Sequence, residues 1–268
     1  MGQTYSSGRM NVNMPNAARM ADFLLGGKDY YAADQQACED LLRLAPSIRA
    51  LAQKQRGFLE RVVQQLAAEG VRQFIEFGTG FPTQRNTYDI AQEINPAARV
   101  VYATDDPLVF NYGRAFLERG TEAVVIQTDL DNISDLVEHP LIKPVINFDY
   151  PVAALFASVL DRIPGENAPA RLTSTLSSLM CPGSFCAVSL VTSESEPTRN
   201  SVTTFLRRTL PGGWGHVMER SEVTCCLEGF DILEPGIVEV SAWRPTSDIS
   251  PRQSSLNLIY FGGVGRVR

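Results

Sequence analysis

The chain has 268 residues with 24 Lys and Arg against 30 Asp and Glu, which gives a formal charge of −6. Its hydrophobic share of 44% and charged share of 20% are typical of a globular protein, so wholesale disorder, collagen-like sequence and a coiled coil are excluded. At this length we expect one domain with a large core.

The charge and hydropathy patterns indicate the class of partner. The basic residues are scattered, whereas phosphate binding needs a basic face, so we expect a small-molecule partner and no nucleic acid. The N-terminus lacks the apolar run of a signal peptide, and no stretch reaches the roughly 20 apolar residues of a membrane span. These features predict a cytoplasmic protein without a membrane partner and leave a homodimer open.

The cysteines and histidines give little sign of metal or redox chemistry. The five cysteines are an odd number without paired C-x-x-C spacing, so we expect no metal site and no disulfide framework. The adjacent Cys225 and Cys226 are expected on a strand as two buried thiols, with a redox-active pair as the alternative. His139 and His216 are expected in loops rather than as ligands or bases.

The first 70 residues predict helices. Residues 1–14 are polar and contain glycine, which is typical of a flexible lead-in. Three helices are then predicted, from Asn16 to a stop at Gly26-Gly27, over residues 33–44, and from Pro46 to Gly70. Because the first helix is short, amphipathic and set apart by its glycines, we predict that residues 15–70 form a lid.

From residue 71 onward, the pattern alternates between strands and helices. Strands are predicted over residues 71–77, 99–104, 123–127, 152–156 and 185–191, with helices over 83–94, 107–119 and 168–180. Two or three further strands, some antiparallel, are predicted within residues 230–233, 236–243 and 256–261. Residues 71–268 are thus predicted to form a Rossmann-like α/β core with a mostly parallel, seven-stranded sheet, in one domain with the lid.

The first of these strands ends in an acid and a glycine turn. Glu76 is followed by Phe77 and then by Gly78-Thr79-Gly80, and two glycines at this spacing allow a tight turn and close approach of a ligand to the backbone. A third glycine at position 83 would indicate a dinucleotide pyrophosphate, but the residue there is Thr83. An NAD-dependent reductase is therefore disfavoured.

Acids also end the next two strands. Asp105 and Asp106 follow the second strand, where a carboxylate can accept hydrogen bonds from ribose hydroxyls, and Asp129 follows the third, where it can accept one from an adenine amine. Helix capping is the alternative for each acid taken alone. Three successive strand ends that each carry an acid, with glycines at the first, indicate an adenosyl cofactor without a pyrophosphate.

The same motifs resemble a known family. The turn from Glu76 to Gly80 resembles the first motif of class I S-adenosylmethionine-dependent methyltransferases. Over about residues 14–265, the chain resembles the actinobacterial S-adenosyl methyltransferase family that long had no assigned function. The motifs that carry this resemblance are Pro15-Asn16-Ala17-Ala18-Arg19-Met20, Asp22-Phe23-Leu24-Leu25-Gly26-Gly27-Lys28-Asp29, Gly78-Thr79-Gly80-Phe81-Pro82-Thr83-Gln84, Asp106-Pro107, Gln127-Thr128-Asp129-Leu130, Glu234-Pro235-Gly236, Trp243-Arg244-Pro245 and Gly262-Gly263-Val264.

The resemblance implies S-adenosylmethionine as the cofactor and assigns residues to its parts. Glu76 would face the methionine amino end, and Gly78 and Gly80 would let the backbone approach the methionine portion. Asp129 and Leu130 would bracket the adenine. The N-terminal helix would act as a lid over the cofactor.

Further site residues follow from the same resemblance. Arg19 is the implied partner of the cofactor carboxylate, and Thr79 belongs to the cofactor turn. Lys28 and Asp29 would lie at the pocket mouth and, with Ser158 after the fourth strand, would contact the acceptor. Helix capping is the alternative role for the N-terminal charges.

The chain also departs from the family pattern. Thr104 stands where the family has the first carboxylate of the second strand end, so Asp105 is expected to take over the ribose contact. Asp161 and Leu190 stand where the family has two histidines, and Gln55 stands in place of an asparagine. No imidazole therefore remains at either family position to accept a proton.

We predict methyl transfer to an oxygen or nitrogen of a small molecule of secondary metabolism, driven chiefly by in-line positioning of the acceptor. Asp161 is the candidate catalytic residue, as a base or an orienting acceptor, with a surface Asp as the alternative. An ordinary carboxylate is a weak base at neutral pH, so Asp161 needs burial, or the acceptor is a phenol, carboxylic acid or similarly acidic group. The alternative function is binding of S-adenosylmethionine or a small molecule without methyl transfer, in a regulatory or cyclisation role.

Overall fold

The computed structural model describes residues 11–163, 165, 167–210, 215–245 and 258–268. As predicted, the chain begins with three helices: α1 (Ala17–Leu25), α2 (Ala32–Leu44) and α3 (Ile48–Ala68). The Asn16 side chain caps α1 by accepting a hydrogen bond from the Arg19 N–H, and Gly26 ends it in the left-handed conformation, with φ of 86°. Residues 1–10 of the predicted lead-in lie outside the described residues.

Within the described residues, eight strands form one sheet, rather than the seven predicted. The strands are β1 (Gln73–Phe77), β2 (Arg99–Thr104), β3 (Ala123–Gln127), β4 (Val152–Ala157), β5 (Phe185–Thr192), β6 (Asp231–Ile232), β7 (Val238–Glu239) and β8 (Ile259–Arg266). Their order is β3-β2-β1-β4-β5-β8-β6, with β7 also paired to β8. The first five strands are parallel, and β8 runs antiparallel to β5, which confirms the mostly parallel sheet.

The last strands differ most from the prediction. The segment 236–243 forms only the two-residue β7 before a 3₁₀ turn at Val240–Ala242, while β8 continues through three glycines that the sequence pattern excluded. A Cβ on Gly262 would lie 2.5 Å from the Val188 carbonyl oxygen, so glycine there permits close approach of β8 to β5. Residues 256 and 257 of the predicted final strand lie outside the described residues.

In the part of the chain that the structure describes, six helices connect the strands. They are α4 (Thr87–Ile94), α5 (Pro107–Phe116), α6 (Ile133–Val137), α7 (Ala168–Leu179), α8 (Glu196–Thr209) and α9 (Arg220–Cys225). The sequence pattern did not predict α6, α8 and α9, because two are short and α8 is mostly polar. The prediction for the cysteine pair was wrong: Cys225 and Cys226 lie at the end of α9, where Cys225 is exposed and Cys226 is buried.

Two apolar clusters cover the two faces of the sheet. Alternate residues of a strand point to opposite faces, so Phe74 joins one cluster and Ile75 the other. Helices α1 to α4 and α8 pack on the Phe74 face, whereas α6, α7 and α9 pack on the Ile75 face. Among the described residues, no helix has both the length and the apolar composition needed to cross a membrane.

A buried ion pair fixes the N-terminal helices to one another. The Arg19 Nε donates to Asp34 Oδ2 at 2.7 Å, and the two side chains are 3% and 0% exposed. The Asp34 carboxylate also accepts the backbone N–H groups of Asn16 and Tyr31, both at 2.8 Å. Because the Arg19 guanidinium also donates to the Met14 carbonyl at 2.5 Å, this pair ties the described end of the lead-in to α1 and α2.

Replacing Arg19 with Met should destabilise the protein strongly, since it leaves the buried Asp34 carboxylate without its cation. We expect the free energy of unfolding to fall by about 3–5 kcal/mol, measured by chemical denaturation followed by circular dichroism. Arg43→Met is the matched control, because the Arg43–Asp40 pair is exposed and should contribute nothing measurable. Equal losses in both variants would contradict the structural role of the buried pair.

Candidate active site

One cavity opens at the carboxyl ends of the strands, where the strand order reverses between β1 and β4. Helices α1, α3 and α8 also contribute to its walls. The strand ends and the turns that follow them contribute Glu76, Gly78, Thr79, Gly80, Thr104, Asp106, Ser158, Asp161 and Arg162. The fold therefore brings together five of the predicted site residues, Glu76, Gly78, Thr79, Gly80 and Asp106, and adds Ser158 and Asp161 from the end of β4.

The Glu76 carboxylate is held rigidly at this turn. It is 6% exposed, and its Oε1 accepts a hydrogen bond from Thr79 Oγ1 at 3.0 Å. Its Oε2 accepts one from Thr87 Oγ1 at 2.5 Å. Since an ionised carboxylate can accept about four hydrogen bonds, Glu76 keeps acceptor capacity for a ligand.

The two glycines of the turn serve different purposes. Gly78 has a φ of 66°, and a Cβ there would lie 2.3 Å from Val159 Cγ2, so this glycine permits contact between the β1 and β4 turns. A Cβ on Gly80 would meet no atom within 4 Å. Gly80 therefore lines the cavity with free space at the position that a side chain would occupy.

At the second strand end, Asp106 rather than Asp105 lines the cavity. Asp106 Oδ1 caps α5 through the Leu108 N–H at 2.7 Å, and its Oδ2 accepts a hydrogen bond from Asn16 Nδ2, also at 2.7 Å. Asp105 instead receives two hydrogen bonds from Arg162 Nη2, at 2.7 and 3.0 Å. Asp105 is therefore engaged by Arg162 and does not line the cavity, while its expected ribose contact stays a prediction.

Five other predicted site residues lie outside the cavity wall. Arg19 is on the side of α1 that meets Asp34, and Lys28 and Asp29 are exposed beyond the end of that helix. The exposed Asp129 has its pKa raised by partial burial and by the nearby Asp131 carboxyl. The other member of the expected adenine pair, Leu130, is a buried core residue.

Two arginines that sequence reasoning missed do line the cavity. Arg56 lies on α3 and donates from Nη2 to Thr83 Oγ1 at 2.9 Å, which places its guanidinium beside the β1 turn. Arg162 follows β4, and its Nε is buried with no hydrogen-bond partner among the described residues. Helical spacing could have indicated Arg56, because it shares the cavity-facing side of α3 with Ala52 and Leu59.

Asp161 is buried in the short turn after β4. It is 8% exposed, and its Oδ1 has no hydrogen-bond partner among the described residues. Burial raises the pKa of this carboxyl, partly offset by the charge of Arg162. A Cβ on Gly215 would lie 2.0 Å from the Asp161 carbonyl oxygen, so a glycine-containing segment closes against this turn.

That segment also brings a histidine close to Asp161. The His216 backbone N–H donates to the Asp161 carbonyl at 3.3 Å, and the His216 Nε2 lies 3.6 Å from Glu222 Oε1. Glu222 raises the pKa of His216, and His216 in turn lowers the pKa of Glu222. Although position 190 holds a fully buried leucine, an imidazole thus reaches the vicinity of Asp161 from a loop distant in sequence.

A second, more polar cavity lies on the other side of the Asp161 turn. The turn residues Asp161 and Arg162 line both cavities, and so does helix α8. The second cavity is also lined by Arg199, Asn200, Thr203, Arg207, His216, Glu219 and Glu222. Asp161 therefore stands between the cavity of the glycine turn and a charged cleft.

Ser158 and Tyr260 form a pair of hydroxyls in the first cavity. Ser158 Oγ lies 2.8 Å from Tyr260 Oη, within hydrogen-bond distance, and Ser158 has a φ of 60°, which is uncommon for a residue with a side chain. Burial raises the pKa of Tyr260, so its hydroxyl stays protonated at neutral pH. The pair joins the end of β4 to β8.

The sheet and its cavity define an α/β protein of the class I methyltransferase fold. The chain belongs to the S-adenosyl methyltransferase family, which matches residues 3–268. It is therefore a methyltransferase that uses S-adenosylmethionine, as its motifs predicted. No curated protein matches the chain.

Two crystal structures resemble the whole chain. A candidate methyltransferase from Thermobifida fusca YX is 29% identical with a TM-score of 0.88, over 99% of this chain and 100% of that one. A DUF574 family protein from Streptomyces avermitilis MA-4680 is 28% identical with a TM-score of 0.88, over 97% of this chain and 100% of that one. The trans-methyltransferase CalH, in complex with S-adenosylhomocysteine, shares the fold at 14% identity, with a TM-score of 0.53 over 93% of this chain and 72% of that one.

The two histidines should titrate on opposite sides of the ordinary histidine pKa of about 6.5. Burial lowers the pKa of His139, whereas the Glu222 carboxylate stabilises the charged imidazole of His216 and raises its pKa. Proton NMR of the two imidazole signals should therefore give two separate titration curves. Glu222→Gln should lower the His216 curve only, and Glu228→Gln, at an exposed neighbouring acid, should leave both unchanged. An unchanged His216 pKa in the Glu222→Gln variant would contradict the interaction between these two side chains.

Proposed function

We propose that the chain transfers a methyl group from S-adenosylmethionine to an oxygen or nitrogen atom of a small molecule bound in the first cavity. The observation that carries this proposal is the position of Asp161, a buried carboxyl that lines the same cavity as the glycine turn. A titratable group of raised pKa beside the cofactor turn is suited to accept the proton of an acceptor hydroxyl or amine.

The polar residues of the strand ends fit the functional groups of the cofactor. Glu76 keeps acceptor positions for the methionine ammonium, and the Asp106 carboxylate suits the ribose hydroxyls. Free space beside Gly80 suits close approach of the methionine portion. Bound there, the cofactor supplies an electrophilic methyl group carried by a sulfonium.

Arg56 is the guanidinium best placed for the carboxylate of the cofactor. The sequence assigned this role to Arg19, but Arg19 is engaged by Asp34 and by backbone carbonyls away from the cavity. Arg56 lines the cavity beside the β1 turn, and an arginine binds a carboxylate through paired N–H donors.

Helix α1 is suited to act as a lid over the bound cofactor. Its Ala17, Ala18 and Ala21 line the cavity, and Asn16 at its start donates a hydrogen bond to Asp106. Closing this helix would exclude water from the methyl group and complete the pocket. Met20 of the same helix is fully buried in the core, so any movement is restrained by packing against α2 and α3.

The alternative, cofactor binding without methyl transfer, rested on the missing family histidines. The missing histidines support that alternative less strongly, because the fold brings His216 to the Asp161 turn and buries the Asp161 carboxyl. The sequence analysis required burial of Asp161 if it is to act as a base, and the Asp161 side chain is buried.

Gly80→Val should block the cofactor while leaving the fold intact, since its Cβ meets no protein atom within 4 Å. We expect calorimetry to show S-adenosylmethionine binding weakened at least a hundredfold, with an unchanged melting temperature. Gly78→Val is a poorer test, because its side chain would collide with Val159 and destabilise the protein itself. Gly57→Val on α3, outside the cavity wall, is the control and should bind normally. Tight binding by Gly80→Val would place the cofactor elsewhere.

Asp161→Asn should slow turnover by about a hundredfold or less, the low end of general-base contributions. Because only the carboxylate accepts a proton, the native rate should rise as pH increases through the raised pKa of Asp161, and the variant should lack this rise. Formation of S-adenosylhomocysteine with phenolic acceptors measures both effects. An identical pH profile in the variant would exclude Asp161 as the base, and tight cofactor binding without any turnover would favour the non-catalytic alternative.

A further inference from the structure

The first cavity changes character along the sheet. Its acidic and basic lining residues are Asp22 on α1, Arg56 on α3, and Glu76, Asp106, Asp161 and Arg162 at the ends of β1, β2 and β4, whereas the residues contributed by α2, β5, α8 and β8 are all uncharged. We call the following residues the apolar chamber: Leu24, Leu25, Leu41, Ile48, Ala52, Val191, Val202, Leu206 and Leu258. Neighbouring strands are about 4.8 Å apart, so β5 and β8 lie roughly 10 and 14 Å from β1. The apolar chamber and the glycine turn thus lie at different positions along the sheet but belong to the same cavity.

Helix α8 separates the apolar chamber from the charged cleft. Val202 and Leu206 are one helical turn apart and face the chamber, whereas Asn200, Thr203 and Arg207 line the second cavity. The charges of this helix are therefore directed away from the chamber. A charged ligand placed in the chamber would lose its hydration without gaining a counter-ion from α8.

Asp22 of α1 accepts a hydrogen bond from the Asp29 backbone N–H at 2.8 Å, whereas the polar groups that β8, the end of β4 and Gln55 bring to the chamber are uncharged. The hydroxyl pair of Ser158 and Tyr260 lies where the chamber meets the end of β4, and the Gln55 amide lies near Ser189 Oγ at 3.5 Å. The two hydroxyls can donate and accept hydrogen bonds, so they can orient a hydroxyl of a ligand. The left-handed conformation of Ser158 is costly and is found chiefly at functional positions.

From this arrangement we infer that the methyl acceptor is an uncharged, largely apolar molecule whose hydroxyl is bound by the Ser158–Tyr260 pair while its carbon skeleton fills the apolar chamber. The inference rests on the proposed function, because it assigns the acceptor to the same cavity. It selects a phenol over a carboxylic acid among the acceptors expected from the sequence. Asp161 lines the same cavity after the end of β4, so a carboxylate is available there to accept the proton of that hydroxyl.

The binding test uses neutral and anionic probes with matched skeletons. The neutral probes are 2-naphthol and 1-octanol, and their anionic counterparts are 2-naphthoate and octanoate. Calorimetry with protein saturated by S-adenosylhomocysteine should show that at least one neutral probe binds tenfold or more tightly than its anion. Tighter binding of the anions, or no binding of either neutral probe, would overturn the inference. Failure of S-adenosylhomocysteine itself to bind would instead count against the proposed function.

Paired variants locate the binding in the chamber. Ala52→Phe fills the chamber from a half-buried position on α3, and Gln53→Phe adds the same ring at the exposed neighbouring position. Ile48→Asp introduces a charge in the first turn of α3, where an acid is compatible with the helix dipole, and Ala50→Asp repeats it at an exposed position of that turn. We expect Ala52→Phe and Ile48→Asp to weaken the neutral probe at least tenfold with S-adenosylhomocysteine affinity unchanged. Equal effects of the control variants would refute the location.

Discussion

The reversal of strand order between β1 and β4 determines where this protein can bind its ligands. Parallel strands have their carboxyl ends at one edge, and the connections after β1 and β4 lead to opposite sides, so a crevice opens between them. Glu76 and Asp161 reach the same cavity for this reason. The contact of Gly78 with Val159 keeps the two turns together, because any larger residue at position 78 would force them apart.

The Asp161 turn connects two regions of different polarity. On one side lies the cavity with the glycine turn and the apolar chamber, and on the other lies the charged cleft with His216 and Glu222. Burial between them raises the pKa of Asp161, so its carboxylate is a stronger base than that of an exposed aspartate. Asp161 therefore borders both a largely apolar cavity and a cleft lined by charged groups.

The N-terminal helices add a covering layer whose position depends on a buried charge. The Asp34 carboxylate accepts hydrogen bonds from Arg19 and from two backbone N–H groups, which joins α1 to α2. Removal of either charged partner would leave the other charge buried without a counter-ion. This pairing also explains why Arg19 does not reach the cavity. The other side of α1, which is rich in alanine, faces the cavity and can approach a ligand closely.

The sequence by itself determined the elements and motifs that depend on neighbouring residues. Hydropathy period and turn residues predicted the first five strands to within two residues, and the spacing around Glu76 predicted the cofactor turn. Only the tertiary structure decided which of Asp105 and Asp106 lines the cavity, that Arg56 replaces Arg19 there, and that His216 approaches Asp161. These outcomes depend on side-chain direction and on contacts between distant segments, which local patterns do not encode.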